Sequence, residues 1–69
     1  MTLAEAELEK EYCVKEISAD EEITRFLFSL GCYSGEPVTV VAKKKSNMVI
    51  SVKDARYNID MDLANTIMI

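Results

Sequence analysis

Histidine and tryptophan are absent from this 69-residue chain, proline occurs once, and glycine and cysteine occur twice each. Without histidine the commonest general base and metal ligand is missing, and neither a Ser/His/Asp nor a Cys/His arrangement can be assembled. The chain therefore reads as a non-enzyme, with no cofactor required. Cys13 and Cys32 lack the C-x-x-C spacing of a thiolate site, and with no export pattern before them they read as reduced thiols rather than a disulfide. No run reaches the ~18 apolar residues of a membrane helix, and the acidic opening lacks a basic-then-apolar signal pattern. The expectation is a cytoplasmic protein without direct membrane insertion. Positive charge is also scarce. Eight Lys and Arg against 12 Asp and Glu leave a net charge of −4, with the acidic side chains crowded into the first third, which counts against nucleic-acid binding. The one basic run, Lys43-Lys44-Lys45, falls at an expected hairpin tip and reads as a solvated turn.

What is present is an ordinary globular mixture, 49% hydrophobic and 29% charged, sized for one domain spanning 1–69 with a small core. Thr2-Leu3-Ala4-Glu5 has the form of a capping box opening a short helix with Leu3, Ala6 and Leu8 on its apolar edge. The stretch 11–17 alternates as a first strand. Ser18-Ala19-Asp20-Glu21 offers a second capping box, and Ile23, Phe26, Leu27 and Leu30 follow at helical spacing, so the main helix is expected over about 21–30 with Gly31 ending it. Phe28 falls outside that stripe and either packs against Leu3 or Leu8 or stands exposed.

After Gly35 the pattern turns to β. Pro37 opens a strand through Ala42, Lys45-Ser46-Asn47 makes a turn, residues 48–52 return, Asp54-Ala55 turn again, and residues 56–59 form a third strand. Asp60 caps a single helical turn over 61–64, and residues 66–69 have room for a last strand. The fold class expected is mainly β with short helices, a small SH3-like barrel of about five antiparallel strands with one main helix.

The order Leu27, Leu30, Gly31, Gly35, Val38 and Val40, a Leu-x-x-Leu-Gly-x-x-x-Gly-x-x-Val-x-Val pattern, resembles the ferrous iron transport A (FeoA) family of SH3-like barrel proteins. The ending, Arg56 through Asp60, then Leu63-Ala64 and Ile67-Met68-Ile69, is similar too. One departure stands near the start, where Glu9-Lys10-Glu11 replaces a glycine many members place before strand one. The resemblance implies an accessory protein of ferrous iron uptake. Its implied partner is the cytoplasmic, GTP-hydrolysing domain of the iron membrane transporter, which it would bind and modulate, and ferrous iron enters as a ligand through the resemblance alone.

Beside that reading stand a metal-sensing or metal-carrying module, with Cys13, Cys32, Asp20 and Glu21 as weak candidate ligands, and a peptide-binding SH3-like adaptor. The adaptor is the weakest reading, because proline-recognising grooves need several aromatics and this chain has no tryptophan. Gly31 and Gly35 read as structural turn glycines, since they follow a helix rather than precede one as a phosphate loop does. Candidate partner-binding residues are Phe28, Tyr33, Ser34, Arg56 and Tyr57, aromatic, cationic or loop positions of the kinds enriched at contact surfaces. A homo-oligomer through an open edge near Ile67-Met68-Ile69 is a further expectation.

Overall fold

The computed structural model describes residues 1–69. A 3₁₀ turn at Leu3–Glu5 precedes strands β1 (Glu11–Cys13) and β2 (Glu16–Ile17), then helix α1 (Glu21–Ser29). Strands β3 (Pro37–Lys43), β4 (Asn47–Val52) and β5 (Ala55–Asp60) follow, then helix α2 (Met61–Ala64) and strand β6 (Ile67–Met68). Two antiparallel sheets result, one ordered β1-β3-β4-β5 and one pairing β2 with β6.

The single strand expected over 11–17 is two strands, because the backbone changes partners between adjacent residues. Val14 N–H donates to Glu36 O at 2.9 Å, while Lys15 N–H donates to Met68 O at 2.7 Å. One residue thus serves the larger sheet and the next serves the smaller. This is how a strand turns the corner between sheets. The core lies between them: Val14, Val38, Val40, Met48, Ile50, Ile59 and Ile67 are buried, joined by Leu3 and Leu27 from the helical segments. Strand β4 alternates buried Met48, Ile50 and Val52 with half-buried neighbours, the period of two expected of a sheet with one face inward. Val41 is the extra residue of a β-bulge in β3, where Val40 pairs with Ile50 and Ala42 with Val49.

The edge expected to be open at Ile67-Met68-Ile69 is closed. Met68 pairs with Glu16 on one side and Thr2 on the other, and Ile69 N–H donates to Met1 O at 2.9 Å. The capping box expected at Thr2-Leu3-Ala4-Glu5 forms. Glu5 Oε1 accepts the Thr2 amide at 2.8 Å, which holds the Glu5 carboxyl below its usual range, while the Thr2 hydroxyl donates to Asn65. Lys43 departs from the solvated-turn expectation, since its ammonium donates to Ala4 O at 2.9 Å and Ala6 O at 2.8 Å, tying the N-terminal segment to β3. Glu9, near the point where the family pattern has glycine, adopts φ +63°, the left-handed conformation glycine would take freely.

Candidate functional site

The candidate surface grows out of the end of α1. Asp20 is the N-cap, its Oδ1 accepting the Ile23 amide at 2.9 Å. Ser18 does not cap the helix as its box pattern implied, because α1 begins at Glu21, directly after Asp20, while the Ser18 amide donates to Thr66 O. At the other end Cys32 N–H donates to Leu27 O and Gly31 N–H to Phe28 O, both at 2.9 Å, which is a Schellman motif with Gly31 at φ +92°. Its hydrophobic contact is the buried pair Leu27 and Cys32. The apolar stripe of α1 is narrower than expected, since Leu27 is buried while Phe26 is 49% exposed.

Past Gly31 the chain reverses, and Tyr33 comes back beside the last helical turn. Phe28, 54% exposed, lies against the Tyr33 ring with centroids 5.4 Å apart at 49°. Of its two expected placements, Phe28 takes the exposed one. Lys53 braces the pair. Its Nζ stands 5.2 Å from the Tyr33 ring centroid and forms an ion pair with Glu36, and its aliphatic stem crosses Gly31, where an added Cβ would lie 2.7 Å from Lys53 Cδ. The Glu36 carboxylate first, then Tyr33, hold the Lys53 ammonium above the ordinary lysine range. The β4–β5 turn is Lys53-Asp54, one residue earlier than expected, with both residues at positive φ as a two-residue hairpin requires.

Tyr33 through Glu36 form a second turn, closed by Glu36 N–H to Tyr33 O at 3.0 Å, with Gly35 at φ +92° as its third residue. Ser34 within it gives its hydroxyl to Lys15 O at 2.9 Å, so that donor is engaged structurally. Of the five contact candidates the structure brings together Phe28 and Tyr33. Arg56 and Tyr57 lie on β5, exposed and half-buried, and no hydrogen bond, ion pair or ring contact joins them to the aromatic pair. Lys53 and Glu36 were missed in the sequence. Their meeting depends on the hairpin tip folding over Gly31, which no local pattern signals.

The four residues considered as metal ligands do not form a centre. No three Cys, Asp or Glu side chains converge in a ligating cluster. Cys32 is fully buried, and desolvation pushes its thiol up to about 11, so it holds its proton at neutral pH. Cys13 is exposed on β1. Asp20 has an oxygen engaged in capping, and Glu21 pairs with Arg25. The shallow depression these last residues line with Glu22 has no apolar wall. A resident transition metal does not fit this donor set.

The family model for the FeoA domain matches residues 1–69, the whole of the sequence. The chain belongs to the FeoA family. Among solved structures, the zinc complex of Stenotrophomonas maltophilia FeoA is 28% identical over 99% of this chain and 87% of that one, with a TM-score of 0.88. That protein is described as a prokaryotic SH3 domain protein and a candidate activating factor of bacterial ferrous iron transport. An iron uptake regulatory protein, also FeoA, shares the fold at 24% identity and a TM-score of 0.90, over 97% of this chain and 91% of that one. A manganese-dependent transcriptional repressor contains the same fold, at 20% identity and a TM-score of 0.87 over 97% of this chain but 39% of its own. No curated protein matches the chain by sequence. The SH3-like barrel expected from the residue pattern is thus the fold of this FeoA protein, with six short strands rather than five. No helix is long and apolar enough to cross a membrane.

Proposed function

We propose that this FeoA protein is an accessory factor of ferrous iron uptake that docks on the cytoplasmic, GTP-hydrolysing part of the iron transporter. Family membership supports the iron-transport role. Exposed Phe28, packed on half-buried Tyr33, carries the docking surface. An exposed Phe28 stacked on a half-buried Tyr33, braced by a paired lysine and placed at a helix end, is pre-organised for contact and loses little side-chain freedom on binding. Titration calorimetry of the transporter's cytoplasmic domain against wild type and Phe28→Ala tests it. Truncation at a contact hot spot costs about 2 kcal/mol, so affinity should fall roughly 30-fold with the melting temperature nearly unchanged. Intact binding by Phe28→Ala would reject this surface.

The zinc complex of the S. maltophilia relative favours a second reading, direct metal carriage. The donor chemistry argues against it in this chain. Anaerobic titration with ferrous iron decides: a stoichiometric signal lost on Cys13→Ser would establish the metal reading.

A further inference from the structure

The larger sheet has an edge that nothing in the molecule covers. Strand β5 pairs only with β4. In the hairpin register Val52 stands opposite Ala55 beside a two-residue turn, so Ala55, Tyr57 and Ile59 direct their backbone groups to β4. Met61, of the same parity, confirms this by donating to Ser46 O at 3.0 Å. The amides and carbonyls of Arg56 and Asn58 therefore face away from the sheet, and neither has a backbone partner outside it. Arg56, Asn58 and Asp60 are all exposed, alternating with half-buried Ala55 and Tyr57 and buried Ile59.

The side chains along this edge are complementary to themselves. We propose that two copies of the protein pair antiparallel through β5, about a two-fold axis at Asn58. Residues of even number face outward on both copies, so Asn58 meets the partner's Asn58 in a reciprocal pair of backbone bonds. Each Asp60 amide donates to the partner's Arg56 carbonyl. The same register sets each Arg56 side chain opposite the partner's Asp60 on one face, a cross-strand charge pair made twice by symmetry. Asp60 Oδ1 accepts the Leu63 amide within its own chain, which leaves Oδ2 for the guanidinium. Tyr57 falls opposite the partner's Ile59 on the other face. A register centred on Tyr57 instead sets Arg56 against Asn58 and gains no charge pairing. The four-stranded sheets join into one continuous sheet, and the exposed edge is removed. This pairing does not depend on docking to a transporter, since Phe28 and Tyr33 take no part in it.

Sedimentation equilibrium across micromolar to millimolar protein tests the proposal, with melting curves as a control on folding. Wild type is expected to dimerise. Arg56→Glu puts like charges opposite each other twice and should weaken the dimer by about tenfold or more. Asn58→Pro removes an outward amide without touching the β4 ladder and should abolish it. Should the proline variant fail to fold, Arg56→Glu alone decides. A wild-type monomer at millimolar concentration, or a dimer indifferent to Arg56→Glu, would overturn the pairing.

Discussion

Cys32 shows how far one residue's surroundings govern its chemistry. It is fully buried as the third residue past α1, and desolvation raises its thiol to about 11. Because the folded-state value lies above the unfolded one, the contribution to stability is complete below about pH 9 and is lost as pH rises toward 11. Denaturation of wild type and Cys32→Ala between pH 8 and 11 measures this. Wild type should lose about 2 kcal/mol relative to the variant over that range, and parallel curves would refute the assignment. Lys53 is the opposite case at the surface, where a left-handed backbone and a fixed ammonium brace Tyr33.

Helix α1 is the element the sequence defines best, and its ends show where legibility stops. The Leu-x-x-Leu-Gly spacing gave its C-terminus correctly, because Gly31 at positive φ and the Leu27 contact are local requirements. Which of two capping residues two apart is used was not legible, because it depends on where the helix starts after the Ser18 amide has bonded Thr66 O, just before β6. Asp20→Ala should therefore cost about 1 kcal/mol in chemical denaturation while Ser18→Ala stays within a few tenths, and the reverse order would return the cap to Ser18. The split of the first strand was hidden for the same reason, since partners for Val14 and Lys15 lie in different parts of the chain. The candidate surface was half legible. Phe28 stood out by its wheel position and Tyr33 by its loop, whereas Lys53 and Glu36 joined them only through tertiary folding.

Across the whole molecule, two sheets of unequal strength share one core. The meander β3-β4-β5 has long registers, whereas β2 and β6 are two-residue strands. Native-state hydrogen exchange should find the amides of Lys15 and Ser18 opening at least about tenfold faster than those of β4, as expected of a smaller cooperative unit. Uniform protection would show that the two sheets open together. The partner change between Val14 and Lys15 also sets an order in time. A growing chain can zip the meander as each hairpin emerges, but Lys15 and Ser18 must wait for Thr66 and Met68. Closing so long a loop is slow compared with forming a hairpin. The corner where a single residue step joins the sheets is thus expected to close after the meander, once Thr66 and Met68 are in place.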